Sequence, residues 1–337
     1  MPLVSVIIPN YNHARFLERR IRSVLDQTFT DFEIILLDDA STDDSRKIIA
    51  QYEGHPLIRV VLSNQNSGSV SHQWNLGVSL SEATYVWIAE ADDVADPELL
   101  ANLVSRLESR SSAVLAYAQS WFIDELDQRT GDLNDWTADL DSERWRHDFV
   151  SDGTEECANC LSVKNTIPNA SAVVFRRDAF LKAGGACEGF RLCGDWMTYS
   201  KVLMQGEMIF VSQHLNHFRL HASSVRATTS IYQNFAESLK VTRFIMDNVT
   251  MNIAAKKKAA KAAQNAWWIA LRYNPIPRSC SIWQFAQAAA HFGVWAQIKF
   301  LIMVPLAGIA RMRWMNPLLL AKRKIMAGAT TQKVTLL

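Results

Sequence analysis

The most constraining feature of this chain is a short buried strand that runs directly into a cluster of carboxylates. Residues 84–89 are rich in β-branched and aromatic side chains, and Glu90, Asp92 and Asp93 follow at once. Carboxylates this close together repel one another unless a cation compensates their charge. Mg²⁺ and Mn²⁺ prefer oxygen ligands of this kind. The alternative is an acidic turn in which Asp96 only caps a helix, and it leaves the preceding carboxylates unexplained.

Strands alternate with single helices over the first hundred residues. Apolar runs and helical spacing predict strands over 4–9, 32–37, 58–63 and 84–89, with helices between them. This order indicates an α/β fold with a mainly parallel sheet flanked by helices. Ligands of such sheets bind beyond the carboxyl ends of the strands. The loops at 10–11, 38–39 and 92–93 are therefore expected at one edge, where they would form a metal-assisted nucleotide site.

The loop after the first strand argues against the common phosphate-binding loops. It reads Pro9-Asn10-Tyr11 and carries neither G-x-G-x-x-G nor G-x-x-x-x-G-K-[ST]. Without a glycine cradle, a divalent cation, Mn²⁺ or Mg²⁺, is the expected clamp for a diphosphate. Asp39 is placed to accept a hydrogen bond from a base N–H, and Tyr11 to stack on the base. Capping by Asp39 and core packing by Tyr11 are the competing interpretations.

Three segments together resemble glycosyltransferase family 2, whose members have the GT-A fold. They are Val-Ser-Val-Ile-Ile-Pro-Asn-Tyr-Asn at 4–12, Asp-Asp-Ala-Ser-Thr-Asp at 38–43 and Glu-Ala-Asp-Asp at 90–93. The match is ordered and correctly spaced, and it covers about residues 3–225. The resemblance implies an inverting transferase that uses a nucleotide-sugar donor. The chain departs from the family pattern at Glu90, where aspartate is usual, and at Ala40, where glycine is commoner.

The resemblance also assigns roles to individual residues. It implies nucleotide binding by Pro9, Asn10, Tyr11, Asp39 and Asp92, with Asp92 facing the ribose or the metal. We expect the cation on Asp93.

A carboxylate near the start of a later helix is the candidate general base. In the resembling family an acid at the position of Asp195 removes the proton of the acceptor hydroxyl as that oxygen attacks the anomeric carbon. Gly194 stands where a glutamate often precedes this acid. From the residues alone, Asp195 as a helix N-cap is the simpler interpretation.

An Arg-x-His element follows in an extended segment. Arg219 and His221 are two residues apart, so they point to the same face. The resemblance places the arginine against the diphosphate and the histidine against the metal, and a structural arginine paired with the acidic domain is equally compatible. We assign Asn169 and Trp196, with Arg219, to the diphosphate or the acceptor.

Charge divides the chain into two parts. Residues 1–247 carry 22 basic and 34 acidic side chains, a formal charge of −12, whereas residues 248–337 carry 13 basic side chains and no acidic ones. We expect a catalytic domain over 1–225 and a basic, Trp-rich helical extension over 226–337. Basic helices with tryptophan lie at membrane interfaces, and Lys256–Lys258 and Lys322–Lys324 would attract anionic lipid. Docking of the extension on the acidic domain is the alternative, and nucleic acid is not an expected partner because no recognition module is present.

The N-terminus enters a strand without a basic region or a cleavage site, which predicts a cytoplasmic protein, peripheral on the inner face of the cell membrane. The Q-x-x-R-W signature of processive enzymes is missing, since Ala310 precedes Arg313-Trp314 where glutamine is required. We therefore expect transfer of one sugar, from a UDP-sugar or dTDP-rhamnose type donor, to a hydroxyl of a growing lipid-linked surface glycan such as O-antigen or capsule. The alternatives are a sugar-phosphate nucleotidyltransferase and a non-catalytic module that binds nucleotide sugar or docks on membrane.

Overall fold

The computed structural model describes residues 1–222 and 224–273. The segment 310–314, where the processive signature is missing, and the basic segment at 322–324 lie outside the described residues. The chain divides into two compact units, one formed by Met1–Cys157 with Thr166–Ala222 and the other by Ala158–Asn165 with the residues that follow Ala222.

The first unit begins with four parallel strands and the helices between them. In chain order these are β1 (Val4–Asn10), α1 (Ala14–Leu25), β2 (Phe32–Asp38), α2 (Ser45–Ala50), β3 (Ile58–Leu62), α3 (Val70–Leu80) and β4 (Tyr85–Ile88). Strand β1 lies at the centre, because Val4 is opposite both Phe32 of β2 and Tyr85 of β4. All seven residues of β1 are buried, as expected for a parallel strand covered on both faces.

The rest of this unit adds a mixed half to the sheet. It contains β5 (Val94–Ala95), α4 (Leu99–Ser109), β6 (Ala113–Ile123), β7 (Arg129–Asp132), α5 (Asn134–Thr137), β8 (Phe149–Asp152), α6 (Gly153–Glu156), β9 (Val173–Arg176), α7 (Arg177–Lys182), α8 (Gly194–Leu203) and β10 (Glu207–Arg219). The strand order is β3-β2-β1-β4-β9-β6-β10-β5, with β7 on β6 and β8 on β10. Strand β9 is antiparallel to both of its neighbours, β4 and β6. The predicted sheet flanked by helices is confirmed.

Helices pack on the sheet through close contacts that the sequence permits. On α3, a Cβ added to Gly77 would lie 2.4 Å from Cγ2 of Ile7, so only glycine allows this helix to approach β1 so closely. Ile7 and Ile8 are fully buried. Burial of each such side chain contributes about 1.5–3 kcal/mol to folding.

Three local expectations differ from the structure. The apolar runs at 208–212 and 215–220 predict two strands, but the structure has one, β10, because its pairing with β6 continues through register shifts between Val211 and Asn216. Helix α4 begins at Leu99 with Glu98 at the N-cap, while the side chain of Asp96 accepts a hydrogen bond from the Glu98 backbone N–H. The polar, acidic composition of 124–153 predicts a loop, but this stretch contains β7, α5 and β8.

The second unit is helical where the structure describes it. Its helices are α9 (Val225–Thr228), α10 (Ile231–Asn248) and α11 (Ile253–Tyr273). Their shared core is built from Tyr232, Phe235, Leu239, Trp267, Ala270 and Leu271. The Phe235 and Trp267 rings stack with their centroids 5.2 Å apart. Over residues 1–222 and 224–273, no helix has both the length and the apolar character needed to cross a bilayer.

Candidate active site

The site is built at the carboxyl ends of β1, β2 and β4 and at the end of β10. In the sheet, β2, β1 and β4 are adjacent and parallel, so the loops that follow them leave from the same edge. Strand β10 ends at Arg219, whose backbone N–H donates to the carboxylate of Asp93. Four segments that are distant in the sequence therefore meet around the acidic motif after β4.

The acid at the end of β2 is held in place by hydrogen bonds from other protein groups. Asp38 is fully buried, and its carboxylate accepts hydrogen bonds from Asn10 Nδ2 at 2.9 Å and from Arg46 Nε at 2.8 Å. The amide of Asn10 also donates to Ser41 Oγ at 3.0 Å. Asn10 thus joins the two loops, and its predicted place beside the base remains a prediction. Pro9 precedes it inside β1 and is buried.

Asp39, the acid expected to bind the base, also has donors from the protein. Its carboxylate accepts hydrogen bonds from the backbone N–H and the hydroxyl of Ser67 and from Gln73 Nε2, the last at 2.7 Å. Ala40, the next residue, has a φ of +59°. That left-handed conformation is the physical reason for glycine at this position in the family. Tyr11 is 43% exposed on the neighbouring loop and is available for stacking.

The acids after β4 are less well compensated. Trp74 Nε1 donates to the Glu90 carboxylate at 2.7 Å, and Ser171 Oγ accepts from the Glu90 backbone N–H. Burial, together with the charge of Asp92, raises the pKa of Glu90 to about 8. The glutamate that departs from the family pattern therefore has a specific partner, Trp74, which its longer side chain reaches.

A buried arginine lies next to this motif and was missed by the sequence interpretation. Arg20 of α1 is fully buried, its Nε donates to the backbone carbonyl of Glu90 at 2.7 Å, and one Nη lies 3.9 Å from Asp93. Neither Nη has a hydrogen-bond partner among the described residues. Burial lowers the pKa of Arg20 to about 10. The available signal was its position four residues after Phe16, on the apolar face of the helix.

Asp93 lies inside the protein. It is 2% exposed, one carboxylate oxygen accepts from the Arg219 backbone N–H at 2.8 Å, and the other accepts from Asn169 Nδ2 at 3.1 Å. Burial, together with the charge of Asp92, raises its pKa to about 6. Three predicted site residues are thus brought together, and Asn169 is 4% exposed. The expectation that Asp93 carries the cation remains a prediction.

Asp92 faces two histidines. His221 Nε2 lies 2.9 Å from Asp92 Oδ2, and potential ligand atoms of His13, Asp92 and His221 all lie within 4.8 Å of one another. Although burial opposes ionisation, the hydrogen bond from His221 and the nearby His13 hold the pKa of Asp92 below its ordinary value. One carboxylate and two imidazoles suit a divalent cation. His13 was missed, although it directly follows the Asn-Tyr-Asn segment that the sequence interpretation singled out.

The guanidinium of Arg219 is occupied by the protein. Nε donates to the backbone carbonyl of Asp92 at 2.6 Å, Nη1 to that of Asp124 at 2.6 Å, and Nη2 to the carboxylate of Asp127 at 2.5 Å. The side chain is 2% exposed in its ion pair with Asp127 and lies over the Phe16 ring. These contacts favour the structural alternative for Arg219, since it fixes the acidic motif to the β6–β7 turn.

Helix α8 carries the candidate base in its first turn. Asp195 is the second residue of α8, and Cys193 occupies the N-cap position, so Asp195 is not the cap. Its carboxylate accepts a hydrogen bond from the backbone N–H of Trp196, which is itself buried. One turn later, Tyr199 is fully buried with no hydrogen-bond partner for its hydroxyl among the described residues. Burial and the charges of Asp195 and Glu90 raise the pKa of Tyr199 well above its usual value, so this ring lies close enough to sense both acids.

Solved structures identify the class of fold. TarS residues 1–349 of Staphylococcus aureus, in complex with UDP-GlcNAc, superimpose with a TM-score of 0.65 at 16% identity, covering 92% of this chain and 87% of that one. The mannosyltransferase PcManGT of Pyrobaculum calidifontis, in complex with GDP-Man and Mn²⁺, gives a TM-score of 0.56 at 17% identity, covering 92% and 87%. At these identities the likeness establishes the fold alone, and that fold is the predicted GT-A type.

The sequence then gives the family. The chain belongs to glycosyl transferase family 2, whose model matches residues 5–182, a little over half of the sequence. The poly(ribitol-phosphate) β-N-acetylglucosaminyltransferase TarP of Staphylococcus aureus is 36% identical over 119 residues, covering 34% of this chain and 36% of TarP. Four curated relatives, TarP among them, are covered over only 18–38% of their own length. The predicted family is confirmed.

Proposed function

We propose that this glycosyltransferase moves a single sugar, with inversion, from a nucleoside-diphosphate sugar to a hydroxyl of a growing, lipid-linked cell-surface glycan. The observations that carry the proposal are that Asp39 and the Asp92 cluster follow the carboxyl ends of parallel strands on either side of β1, and that Asp195 and Glu90 both act on the buried Tyr199. Relatives named for surface polymers support the acceptor class, since TarP acts on poly(ribitol-phosphate) and TuaG is named for teichuronic acid biosynthesis.

Asp39 and Tyr11 are the proposed base-binding pair. Asp39 accepts from Ser67 and Gln73 through its two oxygens, and each carboxylate oxygen has more than one lone-pair site, so capacity remains for a base N–H. Uracil and thymine both present such an N–H. Solved TarS structures hold UDP and UDP-GlcNAc, which favours a UDP-sugar over a dTDP-sugar.

The Asp92 cluster is the proposed cation site, for Mn²⁺ or Mg²⁺. A divalent cation bound there would stabilise the negative charge that develops on the departing diphosphate. We prefer this cluster to Asp93, the ligand expected from the sequence, because Asp93 is 2% exposed and its oxygens accept from Arg219 and Asn169.

Asp195 is the proposed general base. As the acceptor oxygen bonds to the anomeric carbon, the bond from that carbon to the diphosphate oxygen breaks on the opposite face of the sugar, which inverts the configuration. The acceptor proton passes to the Asp195 carboxylate. Removing a general base of this kind lowers turnover about 10²–10⁴-fold.

The basic face of α11 is the proposed membrane contact, which would make the protein peripheral on the inner face of the cell membrane. Lys256, Lys257, Lys258 and Lys261 are all exposed. Each charge near an anionic surface contributes about 1 kcal/mol to binding. Sedimentation with anionic liposomes at low salt tests this proposal, with neutral liposomes as the control. Equal binding to both kinds, or to neither, contradicts it.

Replacement of Asp195 by Asn tests the catalytic proposal. We expect transfer from the preferred member of a nucleotide-sugar panel to fall at least 100-fold, while the Kd for the nucleoside diphosphate changes less than about threefold. Asp178→Asn, on the exposed surface of α7, is the matched control. Unchanged transfer would remove Asp195 from the mechanism, and pyrophosphate release from a nucleoside triphosphate with a sugar phosphate would instead indicate a nucleotidyltransferase.

A further inference from the structure

We infer that His13 is a third protein ligand of the cation site, and that a site with two imidazoles selects a first-row transition ion over Mg²⁺. This inference rests on the proposed cation at Asp92 and names a residue of this chain that the sequence comparison does not assign. It concerns the chemistry of the metal and makes no further claim about the sugar.

The geometry carries the first step. Ligand atoms of His13, Asp92 and His221 all lie within 4.8 Å of one another, so small side-chain movements would bring all three to one ion. The two imidazole rings meet edge to face with centroids 6.0 Å apart. The His221 side chain is 1% exposed and rests against Phe16, with ring centroids 5.2 Å apart, so its position is fixed by packing.

The second step is that His13 is held in place without using its own side chain. His13 occupies the N-cap position of α1, yet its imidazole makes no capping hydrogen bond among the described residues. Asp43 supplies a cap instead, because its carboxylate accepts from the Ala14 backbone N–H at 2.9 Å. Since an N-cap side chain contributes about 1 kcal/mol, a histidine that leaves this role to another loop is consistent with a different function.

The loop before His13 is equally constrained. Asn12 has a φ of +59°, and its side-chain oxygen accepts from the Thr42 backbone N–H at 2.8 Å. The Asn12 backbone N–H donates to Ser41 Oγ at 3.0 Å. These contacts fix the direction in which the chain leaves β1, and they orient residue 13 towards Asp92.

The third step is the chemistry of the donor set. Mg²⁺ prefers oxygen ligands and retains several waters, whereas imidazole nitrogen favours transition ions. Asp93 does not offset this preference, because it is 2% exposed and its two oxygens face the Asn169 amide and the Arg219 backbone N–H. The cation would therefore meet two nitrogens and one oxygen from the protein, with its remaining positions open to water or to diphosphate oxygens.

The experiment is a Mn²⁺ titration of the full-length protein followed by electron paramagnetic resonance, with and without UDP. We expect His13→Ala to raise the Kd for Mn²⁺ at least 10-fold while changing competition by Mg²⁺ less than about threefold. His147→Ala, an exposed histidine outside the site, is the matched control and should leave both affinities unchanged. Thermal melts of each variant establish that it is folded.

Electron spin-echo modulation gives a readout that does not depend on activity. We expect nitrogen couplings from two imidazoles in the wild-type Mn²⁺ complex and from one in His13→Ala. Wild-type Mn²⁺ affinity in the folded variant, or one imidazole in the wild type, overturns the inference. Transfer by the wild type in EDTA would contradict the proposed cation and this inference, but it would leave the glycosyltransferase proposal intact. Absence of transfer despite a two-imidazole Mn²⁺ site would contradict the glycosyltransferase proposal and leave this inference intact.

Discussion

The acidic ends of β2 and β4 look alike in sequence but differ in how their charge is compensated. At the end of β2, Asp38 accepts hydrogen bonds from Asn10 and Arg46, and Asp39 accepts from Ser67 and Gln73. At the end of β4, burial raises the pKa of both Glu90 and Asp93, and neither Nη of the nearby Arg20 has a hydrogen-bond partner in the part of the chain that the structure describes.

This difference separates two uses of one sequence pattern. At β2, these donors hold Asp38 and the loops around it, and Asp39 keeps the capacity proposed above for a base N–H. Carboxylates that are crowded and short of positive charge create a place where an added cation lowers the free energy of the protein. This deficit at β4, rather than the number of acids, is the reason for proposing the cation there.

The largest expected effect is on catalysis at the β4 end. Replacing Asp92 with Asn removes the charge that pairs with His221 and the proposed cation, so we expect donor turnover to fall at least about 100-fold. Turnover of nucleotide sugar over a range of Mn²⁺ concentrations measures this. If the variant reaches the wild-type rate at high Mn²⁺ concentration and its Kd for Mn²⁺ is unchanged, Asp92 is not a ligand of the cation. The proposed contrast between the ends of β2 and β4 would then fail.

The matching change at the β2 end should affect stability instead. Asp38→Ala leaves Asn10 and Arg46 without their acceptor, and we expect the free energy of unfolding to fall by about 2 kcal/mol. Urea denaturation measures this, and the Kd for Mn²⁺ should stay within about threefold of wild type. Asp44→Ala, whose side chain is 72% exposed, is the control. An unchanged unfolding free energy with weakened Mn²⁺ binding would reverse the roles of the two ends.

The charge deficit at β4 also predicts a pH dependence. The pKa of Glu90 is about 8 in the folded protein against an ordinary value of 4.5. The contribution of neutral Glu90 to the free energy of unfolding is therefore complete below pH 4.5 and is lost as the pH rises through 8. Glu90→Gln removes this loss. In EDTA, we expect the unfolding free energy of the variant, relative to wild type, to be about 4 kcal/mol higher at pH 9 than at pH 5.

Urea denaturation at both pH values measures the difference in unfolding free energy. A difference between the two proteins that does not change with pH would show that Glu90 is not held neutral, and the electrostatic contrast between the strand ends would then be smaller than we infer.

The smallest expected effect concerns the backbone at the β2 end. Ala40 has a φ of +59°, which disfavours any residue with a Cβ. We expect Ala40→Gly to raise the unfolding free energy by about 0.5–1 kcal/mol, because relief of strain exceeds the added flexibility of the unfolded chain. Ala50→Gly, at an exposed position of α2, should have the opposite sign. A destabilised Ala40→Gly variant would show that this turn is not strained.

The elements from β1 to β4 could be predicted from local sequence patterns, because each strand is a short apolar run and each helix has apolar residues at helical spacing. The strand ends that carry Asn10, Asp39 and Asp92 could be predicted for the same reason. Their partners could not, since Arg20 contacts Glu90 across 70 positions of the chain and nothing near either residue specifies that contact.

Sequence also left the roles within each acid pair open. Whether Asp92 or Asp93 faces the cation depends on which side of the turn each side chain leaves, and that is decided by donors as distant as Asn169 and Arg219. The single histidine at position 13 gave no pattern at all. Only its meeting with His221, brought from the end of β10, makes it chemically informative.

The ties between the Asn12 loop and the segment Ser41–Asp43 have a consequence for ligand recognition. Because these loops are already joined by hydrogen bonds to Asn12 and by the cap from Asp43, the arm that would contact the base and the arm that would contact the diphosphate are preorganised relative to each other. Their conformational entropy is lost when the polypeptide folds. A donor would therefore meet a rigid cradle, and more of its interaction energy would remain as affinity.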